Sequence, residues 1–405
     1  MKITIVYRYF WPDTPPYAAM LRDMAAWFSN AGHDVEIITA QPAYKPEAGI
    51  PRQPRREIRN GIKIRRLPLL PEHGRGFVKL LNGALFILQA FFIILFGRRR
   101  DLVWTATIPP VVQAAAILAA GRIRGAATLY HMQDIYPEIA EVSGLMKNAL
   151  AAKVLRAIDN HTLKRASAVV VLSSDMENSI RERVGSEATI SVINNFAFSI
   201  GEPVPDKAPP TAQNSNPSFR FVFAGNIGRF QNLEILVDAF GRLDGTKAVL
   251  EIVGEGRVKQ KLQAIVAERN YQNIRFHQHM SSSEVSQFME SCDVGIVSLS
   301  PGLYRYAFPS KTWTYMAAGL PMLALVEEDS ALAQIITDNQ FGIAVPQTID
   351  AEGLAKAVTE IMEQVGLDNL RNPKDSLLYR PETAQADWLQ LIETIDPSQQ
   401  PGPAT

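Results

Sequence analysis

Phe219-Arg-Phe-Val-Phe-Ala-Gly-Asn-Ile-Gly228 decides the fold. A short apolar run ends in a glycine turn, the form of a buried parallel strand whose following helix presents its N-terminus to a ligand. The chain starts the same way at Met1-Lys-Ile-Thr-Ile-Val-Tyr7, followed by a helical pattern over Ala18 to Asn30 and a strand at Asp34-Val-Glu-Ile-Ile-Thr39. Two such starts predict an α/β protein of two nucleotide-fold domains facing one interdomain cleft.

The 405 residues and the 47% hydrophobic share fit that division, because a single core rarely organises so long a chain. One cysteine, Cys292, excludes an internal disulfide and a cysteine-rich metal site, and points to a reducing compartment. Arg8 and Pro12 cut the first apolar run short of a secretory signal. Residues 1–197 read as the first domain, 198–218 as a linker with five prolines between Glu202 and Ser218, 219–380 as the second domain, 381–395 as a C-terminal helix and 396–405 as a disordered tail.

Zero net charge conceals an asymmetry: residues 1–200 hold 25 Lys+Arg against 16 Asp+Glu, and the remainder holds the reverse. Between Arg52 and Arg66 seven basic residues face one acid, Glu57, and Arg98-Arg-Arg100 forms a second block. Between the blocks, Phe77 to Phe96 is almost wholly apolar. It is long enough to span a bilayer, but Lys79, Asn82, Gly83 and Gln89 interrupt it and strands of one sheet lie on both sides. Residues 52–100 therefore read as a membrane-docking region, its helix in the interface and its arginines on an anionic membrane surface. A helix buried in the first core, with a solvated basic face beside it, is the alternative.

Further strands are expected at Asp101–Thr105, Ala127–Met132, Ala168–Leu172 and Ile190–Ile193, with Ser173-Ser-Asp175 capping a helix. His131 ends one of these strands, and the loop after it carries Asp134 and Glu138, where ligands bind in open parallel sheets. Either carboxylate could orient an acceptor hydroxyl or accept its proton; loop capping around Pro137 is the other reading of both. Trp11, Pro16 and Tyr17 lie in an aromatic, proline-rich loop suited to stacking an acceptor sugar or to packing on itself. In the second half, Pro309-Ser-Lys311 opens a helix, whose first N–H groups together with Ser310 and Lys311 suit a diphosphate. The turn Gly225–Gly228 offers another N–H nest, beside which Arg229 could neutralise a leaving diphosphate.

Read together, Gly225-Asn-Ile-Gly-Arg-Phe-Gln-Asn-Leu233, Val253-Gly-Glu-Gly256, Cys292-Asp-Val-Gly-Ile-Val297 and Pro309 to Pro321 resemble the GT4-type retaining glycosyltransferases of the GT-B fold. Tyr9-Phe-Trp-Pro12, Gly32-His-Asp-Val-Glu-Ile37 and Asp134-Ile-Tyr-Pro-Glu138 are similar to that family's branch of bacterial surface-polysaccharide transferases. The resemblance implies a GT-B fold of two Rossmann-like domains. It implies a nucleotide-sugar donor, a UDP-sugar by preference, held by Gly225, Asn226, Gly228, Arg229, Gly254, Glu255, Pro309, Ser310, Lys311 and Thr314. His131, Asp134 and Glu138 become the catalytic candidates, and Trp11, Pro16 and Tyr17 the acceptor-binding ones. The acceptor is expected to be a lipid-linked or growing glycan, with no metal, no cofactor and no nucleic acid, and the protein to lie on the inner face of the cell membrane. The chain departs from the family at Tyr306 and Thr314, where two glutamates are usual, and at Asn226 and Gln231, where an arginine and a lysine are usual. A nucleotide-sugar 2-epimerase and a catalytically silent membrane scaffold of the same fold stay open.

Overall fold

The computed structural model describes residues 1–13, 15–43, 50–71, 76–197, 218–228, 230–245, 247–278, 280, 282–378 and 380–395. The tail, the linker apart from Ser218, and Arg229 lie outside the described residues. The chain divides into two compact units, Met1–Phe198 with Pro381–Thr405 and Ser199–Arg380.

In the first unit, strands β1 (Lys2–Val6), β2 (Asp34–Ala40), β5 (Leu102–Ala106), β6 (Ala127–His131), β7 (Ala168–Val171) and β8 (Ile190–Val192) run parallel. β5, β6 and β7 are buried along their whole length, which is why they read as unbroken apolar runs rather than alternating ones. With β3 (Arg56–Arg59) and β4 (Ile62–Leu67) added, the sheet order is β3-β4-β2-β1-β5-β6-β7-β8. Its edge is a hairpin of β3 and β4, which the charge-rich sequence had not disclosed. Asn60 and Gly61 both take positive φ, as a two-residue hairpin turn requires.

One face of this sheet is covered by α1 (Pro16–Asn30) and by α13 (Pro381–Thr394), whose Trp388 stacks on Trp104 at 4.6 Å. The last helix thus belongs to the first unit, although it follows the second in sequence. The other face is covered by α2 (Gly76–Phe96) and α3 (Val112–Ile123). α2 buries Asn82, Phe86, Ala90 and Ile94, a row at i, i+4, i+8, i+12. The expected interfacial helix is therefore half a core helix.

In the second unit β9 (Phe219–Ala224), β10 (Ala248–Val253), β11 (Ile274–His277), β12 (Val294–Ser298), β13 (Met322–Leu325) and β14 (Gly342–Val345) form a parallel sheet of order β11-β10-β9-β12-β13-β14. The order reverses between β9 and β12, so the carboxyl end of β9 lies at the point where open α/β sheets bind ligands.

Candidate active site

The turn that ends β9 is built from two glycine loops in backbone contact. A Cβ on Gly254 would lie 1.9 Å from the carbonyl oxygen of Gly225, and one on Gly256 would lie 2.1 Å from that of Ile227. Gly225 and Gly254 also take φ of +142° and +143°, so no side chain fits at either position. Gly228 N–H is satisfied by Gln231 Oε1 at 3.1 Å. Asn226 is exposed, and Glu255 is occupied by Lys259 at 2.7 Å.

Against this turn stands α10 (Lys311–Ala318), with Pro309 and Ser310 half-buried before it. The Tyr315 hydroxyl accepts from Ala224 N–H at 2.9 Å and donates to the Val222 carbonyl at 3.2 Å, tying the helix to the end of β9. The Lys311 ammonium lies 3.4 Å from the centroid of the Phe223 ring. A Cβ on Gly225 would be 3.5 Å from its Nζ. That Nζ is buried and has no hydrogen-bond partner, and burial pushes its pKa down to about 7. A buried cation without a counter-charge is costly, so burial disfavours the ammonium form unless an anion lies beside it. Thr314 sits one turn along α10 from Lys311, half-buried. Phe223, the platform under Lys311, reads in the sequence only as one more apolar strand residue.

In the first unit the site residues part company. His131 is 1% exposed. Gln133 Nε2 donates to its Nε2 at 2.9 Å, so Nδ1 carries the proton and donates to the Tyr17 hydroxyl at 2.9 Å. Its ring packs against Trp388 at 4.9 Å and Trp104 at 5.8 Å, and burial pushes its pKa down to about 3. His131 is a neutral core histidine, not a group facing substrate. Tyr17, expected to stack an acceptor, is 6% exposed and belongs to the same core. The Trp11 ring is covered by Arg59, 3.7 Å from its centroid, whereas Pro16 is exposed at the start of α1.

Glu138 is likewise claimed by structure. Its carboxylate accepts from Arg156 at 2.7 Å and Arg183 at 3.2 Å, within a network that includes Glu141 and buried Asp159. Both oxygens are committed to cations, which does not suit a proton acceptor. Asp134 differs: it is half-buried, and burial pushes its carboxyl up to about 6. It thus combines some exposure with a carboxyl raised toward the range in which a general base works. Gln133 and Asn195, joined at 2.9 Å, support the loop from below. No group of three or more His, Cys, Asp or Glu that could hold a metal occurs among the described residues.

Residues 17–195 match the model of the glycosyl transferase 4-like domain, and residues 218–364 that of glycosyl transferases group 1. The chain is 26% identical over 295 residues to the probable glycosyltransferase WbjE of Pseudomonas aeruginosa, covering 71% of this chain and 72% of that protein. It is 25% identical over 374 residues to the putative colanic acid biosynthesis glycosyl transferase WcaI of Escherichia coli K12, covering 87% and 90%. Among solved structures, Alr3699/HepE of Anabaena, in complex with UDP and glucose, superposes with a TM-score of 0.68 at 15% identity, covering 97% of this chain and 100% of the other.

Proposed function

Because the chain is a glycosyltransferase of the GT-B fold, we propose that it moves a sugar from a UDP-sugar to a lipid-linked or growing glycan during bacterial surface-polysaccharide assembly. The observation that carries the donor side is the unpartnered, buried Lys311 Nζ over the Gly225 turn, at the reversal point of the second sheet. A diphosphate there would accept from the Lys311 ammonium, and the same contact would stabilise the leaving nucleoside diphosphate. Ser310 and Thr314 supply neighbouring hydroxyls. Retention of anomeric configuration follows from the resemblance to GT4-type enzymes, and the electrostatics of Lys311 give the site a cation of its own.

Asp134 is the residue of the first unit we assign to the acceptor hydroxyl, as orienting group or proton acceptor. Residues 52–100 dock the protein on an anionic membrane, where a lipid-linked acceptor would lie. Support for docking comes from α2, whose 21 residues have a mean hydropathy of 2.1 in their most apolar window while only 28% of that window is buried.

The test is a panel of nucleotide sugars scored by thermal stabilisation and by release of free nucleotide. A bound donor raises apparent stability by mass action, about 2.7 kcal/mol at a hundred times its Kd. UDP-sugars should stabilise the protein and release UDP. Stabilisation without any release, with acceptor lipid present, would favour the silent scaffold; interconversion of UDP-sugars without transfer would favour the epimerase.

A further inference from the structure

The outer side of α2 is as apolar as the inner. Opposite the buried row runs a second row, Leu80, Ala84, Leu88, Phe92 and Phe96, every member of it exposed. Phe92 and Phe96 stack in the open at 5.8 Å and 8°. An apolar helix face of this length with nothing packed on it marks an interaction surface.

Beside the carboxyl-terminal half of this face, a groove of about 720 Å³ opens between α2 and the β3–β4 hairpin. Phe92, Ile93 and Gln89 form one wall, and Arg55, Arg56, Arg65 and Arg66 the other. The carboxylates nearby are already taken: Glu57 by Arg66 at 2.5 Å, Glu36 by Arg100 at 3.3 Å and Asp34 by Lys63 at 2.6 Å. Arg55, Arg56 and Arg65 have no ion pair among the described residues. Arg56 and Arg65 are directly paired across the hairpin, an arrangement of like charges that destabilises a sheet. Burial first and Arg56 next lower the Arg65 pKa, against the pull of Glu36. Finally, Arg66, whose side chain is 0% exposed, keeps a buried Nε–H without a partner. The hairpin thus spends stability on holding cations together, which an anion in the groove would recover.

We propose that this groove holds the headgroup phosphate of an anionic phospholipid, the acyl chains lying along Leu88, Phe92 and Phe96. A free inorganic anion would account for the arginines but not for the apolar wall and the adjoining exposed row; a lipid accounts for both. The proposal rests on the membrane-docking reading and adds to it a defined binding site, in place of a diffuse basic surface.

Vesicle co-sedimentation with full-length protein tests it. Smeared surface charge is worth about fivefold in partitioning per basic residue removed. Arg56→Gln with Arg65→Gln and Arg98→Gln with Arg99→Gln remove the same charge, but only the first pair lines the wall facing Phe92 and Ile93. On phosphatidylglycerol-containing vesicles the first double variant should lose at least about tenfold more binding than the second. Its melting temperature should stay level or rise, because the like-charge pair is gone. Phe92→Gln should weaken binding with every arginine in place. Equal losses from the two double variants would overturn the site and leave diffuse attraction. Binding of soluble glycerol phosphate by the wild type without vesicle binding would overturn the lipid. Release of UDP from donor without acceptor should be unchanged in the groove variants, so a failed groove and a failed transferase reading give different results.

Discussion

Lys311 is the residue on which donor recognition would turn in the proposed site, and its burial would make that recognition pH-dependent. In the free protein its pKa lies near 7, below the usual 10.5, so between those values the folded state binds fewer protons than the unfolded state and stability rises as pH climbs. A diphosphate reverses the balance by favouring the ammonium form, so donor binding takes up a proton and weakens as pH rises above about 7. Calorimetry at pH 8 in buffers of different ionisation heat should show this uptake. Lys311→Met should abolish it and cost about 1.5–3 kcal/mol of UDP affinity. Unchanged affinity would sink the assignment. Asp134 carries the second prediction at this scale. A group titrating near 6 is an effective acceptor only above that pH, so kcat/KM should fall below about 6, and Asp134→Asn should lose turnover while keeping UDP affinity. Glu138→Gln should instead lower stability, because it leaves Arg156 and Arg183 facing a neutral amide. If Glu138→Gln abolishes turnover in a fully stable protein, the two roles are exchanged.

Among the elements, α2 and the hairpin beside it show how charge divides between structure and surface. The two basic blocks read as one lipid-facing set, yet Arg100 is 6% exposed and donates to Thr4 Oγ1 at 2.9 Å and to the Arg98 carbonyl at 2.8 Å. Arg100→Gln should therefore destabilise the first unit by about 1–3 kcal/mol. Arg98→Gln and Arg99→Gln, both exposed, should leave stability unchanged and weaken vesicle binding modestly. Urea unfolding of the three variants distinguishes them, and a silent Arg100→Gln would show that its buried contacts contribute nothing. The buried parallel strands were legible in the sequence because both their faces are covered, which makes them apolar throughout. The β3–β4 hairpin was not: Arg, Glu and Lys occupy its solvent positions so densely that charge hides the alternation, although Asn60-Gly61 was an available turn signal. The helix start at Pro309-Ser-Lys311 was legible because proline at the entry to a helix has a local meaning. His131 and Tyr17 were not, since what decides their role is Trp388, more than 250 positions away in the chain.

The whole molecule is threaded so that the first unit is not complete until the chain has passed through the second. Residues 381–395 return to the first sheet, where Trp388, 1% exposed, lies between Trp104 and His131. The proposed donor site and the completion of the first core thus reside in different units, and the two should respond to different perturbations. In the proposed donor site UDP would contact Lys311 and the Gly225 turn, so saturating UDP should raise the melting transition of the second unit, by about 5–10 °C at a hundred times Kd for a unit of this size. Trp388→Ala removes a stacked indole from a closed core at a cost of about 3–5 kcal/mol and should lower the transition of the first unit. Scanning calorimetry of wild type and variant, each with and without UDP, measures both effects in one experiment. The variant should retain a UDP-shifted transition at the wild-type position while its other transition moves down. If Trp388→Ala lowers the UDP-stabilised transition by the same amount, α13 supports both units alike, and its assignment to the first core alone is wrong.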